Sequence, residues 1–220
     1  MAITSSGLLA MSVHIKFCGF TQASDLRKAF ALGVDAFGVV HFAGSKRHVA
    51  LEQMHDLRAA IPEHKELIAL FVNPSVAEVR SVMRALKPSM LQFHGDEPDA
   101  FCAQFDVPFI KAMAMGEGAG DIFQRQWHYP NASAFLLDGH APGGLGGAGH
   151  AFAWHEPIQL NKPVYLAGGL HAGNVAEAIA CVKPFAVDVS SGIEAAPGIK
   201  DEKKMRAFVE ATKIAKMEPV

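Results

Sequence analysis

The sequence predicts one α/β domain, a closed barrel of eight strand–helix units, (β/α)8. Three observations lead to this fold class. Strand-like and helix-like stretches alternate along the chain, eight such pairs follow one another, and all of them fit within 220 residues with no linker between them. Alternation requires a parallel sheet, and eight pairs in about 200 to 250 residues fit a closed TIM barrel better than an open sheet. An open doubly wound sheet is the alternative, but it usually has fewer strands, and the first strand-to-helix turn here lacks a GxGxxG pattern.

The strands are predicted from eight short apolar runs that are rich in β-branched and aromatic residues. The second run, from Ala36 to Phe42, is almost continuously apolar, as in strands that are covered on both faces. The predicted strands are residues 13–17, 35–42, 66–72, 89–93, 108–113, 133–137, 163–167 and 185–189.

The helices are predicted from apolar residues at helical spacing and from their start signals. Thr21 is expected to cap the first helix, and Pro74 and Ser75 mark the start of the third. The predicted helices are residues 22–32, 51–61, 76–86, 98–105, 118–128, a short one from Phe152, 174–182 and 201–216.

The barrel domain is predicted to span residues 13–220, after an extension of residues 1–12 that is expected to be flexible. The extension holds a brief apolar run, residues 7–11, but no basic residue precedes it, which argues against a secretory signal. No apolar run approaches the length of a membrane span.

Composition indicates a small-molecule partner. The formal net charge is -2 and 19% of the residues are charged, so the chain carries no electrostatic footprint for nucleic acid or an anionic membrane. Three cysteines are too few for a disulfide framework, which predicts a reducing, cytoplasmic location. The 11 histidines are scattered singly, so no metal site is predicted.

Cys18 is the first candidate for chemistry. It ends the first predicted strand, just before Gly19 and a helix. In a barrel the carboxyl ends of the strands carry the active site, because the loops gather there on a rigid base. The alternative is that Cys18 is a small buried hydrophobe, the usual state of a free cysteine.

Two loops are predicted to bind phosphate. Glycines let backbone N–H groups approach an oxyanion, serine hydroxyls add donors, and the loops after strands seven and eight of a barrel often build such a site. Ordinary turn glycines are the alternative. The predicted phosphate-binding residues are Gly168 and Gly169 after strand seven, Ser190, Ser191 and Gly192 after strand eight, and Gly147 and Gly149 of the glycine-rich loop after strand six.

Two charged residues at other strand ends complete the candidates. Asp138 follows the apolar run 134–137 and is expected to face the barrel mouth, where partial burial favours its protonated form. A loop aspartate that caps a turn is its alternative. Arg47 has a planar fork that suits a ligand carboxylate or phosphate, although neighbouring Lys46 and His48 also fit a solvated basic loop.

Six motifs in order resemble the phosphoribosylanthranilate isomerase family of tryptophan biosynthesis, and the similarity extends from Val13 to the last helix. The motifs are Lys16-Phe17-Cys18-Gly19, Ser45-Lys46-Arg47, Gln92-Phe93-His94-Gly95, Leu136-Leu137-Asp138, Leu166-Ala167-Gly168-Gly169-Leu170 and residues 187–194, Val-Asp-Val-Ser-Ser-Gly-Ile-Glu.

This resemblance implies an Amadori rearrangement of phosphoribosylanthranilate with no cofactor. It implies Cys18 as general base, Asp138 as general acid and Arg47 as the residue that holds the anthranilate carboxylate. It also implies substrate binding by Gln92 and His94. The enzyme would be a monomer or a homodimer.

Three departures from the family pattern leave the substrate open. The family's Gly-Gly-Thr-Gly is here Gly146-Gly147-Ala148-Gly149, its Phe-Asp-Trp is Phe152-Ala153-Trp154, and its Ser-Pro-Arg is Ser45-Lys46-Arg47. A paralogue that isomerises another phosphorylated aminosugar therefore remains an alternative. A non-catalytic barrel that binds a sugar phosphate is a second, and retention of Cys18 and Asp138 argues against it. A third is an aldolase-like barrel with Lys111 as Schiff-base lysine.

Overall fold

The computed structural model describes residues 13–139 and 160–214, and these residues form a closed barrel. All eight strands are parallel, and β8 pairs with β1 to close the sheet. The predicted fold class is therefore confirmed. The strands are β1 His14–Cys18, β2 Ala36–Val40, β3 Glu66–Phe71, β4 Met90–Phe93, β5 Phe109–Ala114, β6 Ala134–Asp138, β7 Val164–Leu166 and β8 Ala186–Val189.

Helices connect the strands on the outside of the barrel. The helix α3 starts after Ser75 as predicted, and Ser75 caps it: its side chain accepts a hydrogen bond from the N–H of Glu78, and the Glu78 carboxylate accepts one from the Ser75 N–H in return. The described helices are α1 Ala23–Ala31, α2 Met54–Ala59, α3 Val76–Leu86, α4 Asp99–Ala103, α5 Ile122–Arg125, α6 Val175–Val182 and α7 Glu202–Ile214. The extension 1–12 and the helix predicted from Phe152 lie outside the described residues.

Two predictions about the helices are wrong. Thr21 does not cap α1; Gln22 occupies that position, and the Thr21 hydroxyl donates to the carbonyl of Gly198 at 2.7 Å. The hydroxyl is therefore bonded to a loop that is distant in the sequence and does not cap the helix. The predicted helix 118–128 is only the short α5 followed by a 3-10 turn, because Gly118 and Gly120 adopt positive φ angles and the first turn cannot form there.

The two faces of the strands build two different cores. Outward-facing residues such as Phe17, Phe37 and Phe135 pack against the helices. The inward face fills the lower part of the barrel with small and branched side chains, as in other closed barrels. The members of this inner cluster are Ala36, Ile68, Ile110, Ala112, Ala134, Leu136, Tyr165, Ala167 and Ala186.

A short antiparallel hairpin follows β8 and was not predicted from the sequence. Its strands are β9 Glu194–Ala196 and β10 Ile199–Lys200. The buried ammonium of Lys200 donates to the carbonyl of Cys18 at 2.6 Å and to the Glu194 carboxylate at 2.8 Å. The hairpin is thereby fastened over the carboxyl ends of β1 and β8. Within residues 13–139 and 160–214, no helix is both long and apolar enough to cross a bilayer.

Candidate active site

The carboxyl ends of the strands surround a cavity of about 600 Å³. Its walls bring together side chains from most strand ends. The sequence-predicted residues that line it are Cys18, Arg47, Gln92, His94, Asp138, Gly168, Gly169, Ser190 and Ser191. Residues far apart in the sequence thus share one cavity, as the barrel hypothesis requires. The predicted phosphate residues Gly147 and Gly149 lie outside the described residues.

Cys18 ends β1 with its thiol in this cavity, and only 6% of the residue is exposed. The neighbouring strand makes room for the thiol at Gly38, the register partner of Cys18. A Cβ atom at Gly38 would lie 2.6 Å from the Cys18 Sγ and 3.1 Å from its Cα. Burial raises the pKa of the thiol, while the positive charge of Lys16 opposes that effect. The thiol is therefore protonated at neutral pH, and its thiolate forms at alkaline pH.

Lys16 and Asp188 form an ion pair inside the barrel, just below Cys18. The Lys16 ammonium lies 2.6 Å from Asp188 Oδ2, and the lysine is fully buried. Burial disfavours the lysine's charge, but Asp188 and Cys18 outweigh this effect, so the pKa of Lys16 is raised. Asp188 Oδ1 is buried with no hydrogen-bond partner among the described residues, and Asp188 lines the cavity. This oxygen can therefore accept a hydrogen bond from a ligand hydroxyl.

Asp138 ends β6 and meets His94, which follows β4. The His94 Nε2 lies 3.5 Å from Asp138 Oδ2, and the His94 Nδ1 lies 3.2 Å from the side-chain nitrogen of Gln92. A neutral imidazole has one donor and one acceptor nitrogen, so the tautomer in which Nδ1 accepts from the Gln92 amide carries its proton on Nε2, facing Asp138. Gln92, His94 and Asp138 thus form a chain of polar contacts along the cavity wall opposite Cys18.

Arg47 projects from the loop after β2 and is fixed by Glu194 of the hairpin. Its Nε and Nη2 lie 2.8 and 2.7 Å from the two carboxylate oxygens of Glu194. A guanidinium has five N–H donors, so this pair leaves up to three for a ligand. The side chain of Arg47 is 15% exposed and its residue lines the cavity, as a carboxylate-binding residue must.

The loops after β7 and β8 meet at the cavity. Gly168 and Gly169 have φ angles of +84° and +65°, which only glycine adopts without strain. A Cβ at Gly192 would lie 2.0 Å from the Leu170 carbonyl oxygen, so Gly192 brings the two loops into contact and is not itself in the cavity lining. The Ser190 hydroxyl is buried with no hydrogen-bond partner in the described part of the chain. Both loops therefore offer donors at one side of the cavity.

Lys111 lies on the other face of its strand. It shares this outward face with Phe109 and Met113 of the outer core, and its ammonium lies 2.7 Å from Glu97 and 2.6 Å from the Gly95 carbonyl. It is not among the residues that line the cavity. This position removes the basis for a Schiff-base role.

Sequence reasoning missed four residues of the site, which are Lys16, Gly38, Asp188 and Glu194. One signal could have found two of them. Side chains alternate along a strand, so Lys16 faces the same way as Cys18, and a charged residue at that spacing in a buried strand is unusual. Asp188 interrupts an apolar run in the same manner. The pairing of Arg47 with Glu194 joins residues 147 positions apart and has no local signal.

A thiol and a carboxyl group that face one cavity, with donor-rich loops beside them, define a (β/α)8-barrel enzyme equipped for acid–base chemistry on an anionic small molecule. The model of the family described as N-(5'-phosphoribosyl)anthranilate (PRA) isomerase matches residues 15–211. The chain belongs to this family, and the resemblance noted in the sequence is confirmed.

Relatives match over nearly the whole chain. The N-(5'-phosphoribosyl)anthranilate isomerase of Xanthomonas oryzae pv. oryzae is 49% identical over 208 residues, covering 92% of this chain and 94% of that protein. The crystal structure of phosphoribosyl anthranilate isomerase from Thermotoga maritima matches with a TM-score of 0.81 and 32% identity, covering 91% of this chain and 98% of that one. A phosphoribosyl anthranilate isomerase in complex with reduced 1-(o-carboxyphenylamino)-1-deoxyribulose 5-phosphate matches with a TM-score of 0.76 and 30% identity, with the same coverage.

Proposed function

We propose that this protein isomerises N-(5'-phosphoribosyl)anthranilate to 1-(2-carboxyphenylamino)-1-deoxyribulose 5-phosphate, with Cys18 as general base and Asp138 as general acid. One observation carries the proposal: both groups face the same cavity from opposite parts of the barrel mouth, at the ends of β1 and β6. An acid and a base on different strands can reach different atoms of one sugar. Membership of the family supplies the reaction.

The reaction needs one proton to be given and one to be taken. Asp138 protonates the furanose ring oxygen, the bond from that oxygen to C1' breaks, and the nitrogen lone pair forms a Schiff base. The Cys18 thiolate then removes the proton from C2' to give an enolamine, which tautomerises to the ketone. His94, 3.5 Å from Asp138, holds the acid in place during these steps. The net change is an isomerisation, so atoms and electrons balance without a cofactor.

Three parts of the cavity match three parts of this substrate. The free N–H groups of Arg47 suit the anthranilate carboxylate, because a fork binds a carboxylate with two parallel hydrogen bonds. Gly168, Gly169, Ser190 and Ser191 suit the 5'-phosphate. Gln92 and His94 contribute polar contacts near the sugar. Gly147 and Gly149 remain predicted phosphate residues, as does Gly192 through its support of the loop after β8.

Loss of phosphoribosylanthranilate fluorescence measures the proposed activity directly. The chain is expected to turn over this compound, and the Cys18→Ala variant is expected to lose activity by about 10² to 10⁴. Absence of turnover would refute the substrate, and a paralogous aminosugar isomerase would become the better proposal. Treatment with borohydride and substrate should not inactivate the enzyme through Lys111. Cytoplasmic location and a monomeric or homodimeric state stay predictions.

A further inference from the structure

A lysine is buried inside the barrel beside the proposed base. Lys16 and Cys18 are two residues apart on β1, so their side chains share the inward face with Cα atoms about 6.6 Å apart, within reach of a lysine side chain. Lys16 has no exposed surface, and its ammonium lies 2.6 Å from Asp188 Oδ2. The register of the sheet aligns Lys16 with Asp188 directly.

Stability alone does not account for this ion pair. Removing two charges from water is unfavourable, and well-packed apolar replacements of a buried pair are often neutral or stabilising. The rest of the inner cluster follows that rule, since it contains residues such as Ala36, Ile68 and Leu136. The pair is also incomplete as a structural unit, because Asp188 Oδ1 has no partner among the described residues.

We propose that Lys16 is a positioning residue for the general base, with its ammonium, anchored by Asp188, as the buried counter-charge that stabilises the Cys18 thiolate, a role that rests on the proposed function of Cys18. In this arrangement Lys16 touches no substrate atom. It acts through Cys18 by lowering the free energy of the charged form of the base.

The charged groups around Cys18 determine whether the pKa of its thiol is raised or lowered. Besides Lys16 and Asp188, Lys200 of β10 faces it, and its ammonium is shared with the Cys18 carbonyl and Glu194. The remaining charged and titratable groups that share the cavity with Cys18 are Lys46, Arg47, Glu194, Asp138 and His94. Burial is the largest influence and raises the pKa of the thiol. The positive charge of Lys16 is the largest influence that lowers this pKa, and the negative charge of Asp188 raises it further. Burial lowers the pKa of Lys16, but Asp188 and Cys18 outweigh burial and raise it, so both neighbours favour the charged form of the lysine.

Titration of the thiolate tests the role without relying on activity. The ultraviolet absorbance of the thiolate is followed against pH in the wild type and in Lys16→Met, each as a difference from the same protein with Cys18→Ala. The midpoint in Lys16→Met is expected to rise by at least about one pH unit, since an opposite charge at this range shifts a pKa by about 1–3 units. The limb of the kcat pH profile that the thiol sets should move with it.

A second variant tests the same role if the Lys16→Met protein fails to fold. Asp188→Asn removes the negative charge, leaves Lys16 free for the thiolate, and is expected to lower the midpoint. Lys111→Met is the matched control, because it also removes a buried lysine paired with a buried carboxylate, and it should leave the midpoint unchanged. An unmoved midpoint in Lys16→Met, or a raised or unmoved one in Asp188→Asn, would overturn the role of Lys16. Full activity of Cys18→Ala would instead overturn the proposed function, so the two failures are distinct.

Discussion

Arg47 and Glu194 form two parallel hydrogen bonds of 2.8 and 2.7 Å between a guanidinium from the loop after β2 and a carboxylate from the hairpin after β8. Glu194 also accepts from Lys200 at 2.8 Å and from the Gly198 N–H at 3.2 Å. The orientation of Arg47 in the cavity is therefore set by a carboxylate that no ligand needs to supply. Such a fork is pre-organised for a second carboxylate on its outer edge.

Arg47→Lys is expected to raise KM for phosphoribosylanthranilate at least tenfold with a smaller change in kcat. A lysine keeps the positive charge but loses the fork, so it cannot bind Glu194 and a substrate carboxylate in parallel geometry. Arg47→Ala should raise KM further and also lower stability, since it removes two hydrogen bonds from the buried Glu194. Steady-state kinetics of both variants measure these changes in KM and kcat. An unchanged KM in Arg47→Ala would refute the assignment of Arg47 to the anthranilate carboxylate.

Glu194→Gln is expected to change the acid stability of the protein. Burial disfavours the Glu194 charge, but the hydrogen bonds from Arg47 and Lys200 outweigh it and lower the pKa of this carboxyl. Its stabilising contribution is therefore present above the unfolded pKa of about 4.3 and is lost as pH falls through the lower folded value.

The free energy of unfolding of Glu194→Gln and the wild type should consequently differ most near neutral pH, with the difference shrinking as pH falls below about 4.3. Urea titrations at several pH values measure it. Glu202→Gln, which removes an exposed carboxylate on α7, is the control for net charge alone. A difference that grows toward acid pH would contradict the assigned direction.

Gly38→Ala is expected to impair catalysis by displacing Cys18. The added Cβ would lie 2.6 Å from the Cys18 Sγ, and the backbone contact at 3.1 Å prevents simple side-chain rotation from relieving it. We expect kcat to fall by about 10², the usual effect of a misplacement near 1 Å, and stability to fall by about 1–3 kcal/mol.

Gly33→Ala is the matched control for Gly38→Ala. Gly33 has a φ of +83° and no atom within 4 Å of a built Cβ, so the change costs about 1–2 kcal/mol of backbone strain without touching the site. Its kcat should stay near that of the wild type. Equal kcat in both variants would mean that Gly38 has no influence on the thiol.

The pH profile of kcat should separate the two proposed catalytic groups. Burial raises the pKa of the Cys18 thiol, so the limb of the profile that the thiol sets lies above the ordinary range of a cysteine. Cys18→Ala should remove that limb, and Asp138→Asn should remove the limb on which the acid ionises. Each change should lower kcat by about 10² to 10⁴ with little change in KM. Cys181→Ala, which alters an exposed thiol on α6, should leave the profile in place.

Gly169→Val is expected to raise KM strongly, because a side chain would block the approach of the phosphate to the backbone of the loop after β7. Gly169 has a φ of +65°, and Gly120, with a φ of +71° and open space around a built Cβ, offers a control of equal backbone strain. Gly120→Val should lose stability without a change in KM. Binding of a phosphate-bearing product analogue measured by calorimetry checks the assignment, and equal affinity in both variants would contradict it.

Residue patterns that repeat along the chain predicted most of the fold. Apolar runs of strand length alternate with amphipathic stretches, and this alternation is a local property that any eight-fold barrel must carry. One prediction failed where a distant segment competed for a local group. The sequence predicts Thr21 as a helix cap, but its hydroxyl donates a hydrogen bond to the Gly198 carbonyl, 177 positions away. The hairpin β9–β10 was not predicted for a different reason, because its two short strands show no apolar alternation.

The sequence by itself determined the parallel barrel, the order of its strands, and the positions of Cys18, Asp138 and Arg47 at or just beyond strand ends, because these follow from periodicity and from motifs contained in short stretches. Only the tertiary structure decided what faces those residues. Register places Gly38 beside Cys18 and Asp188 beside Lys16, and closure of the barrel places both pairs at one cavity. The pairing of Lys16 with Asp188 joins the first and the last strand of the barrel, so its energy exists only once the barrel has closed.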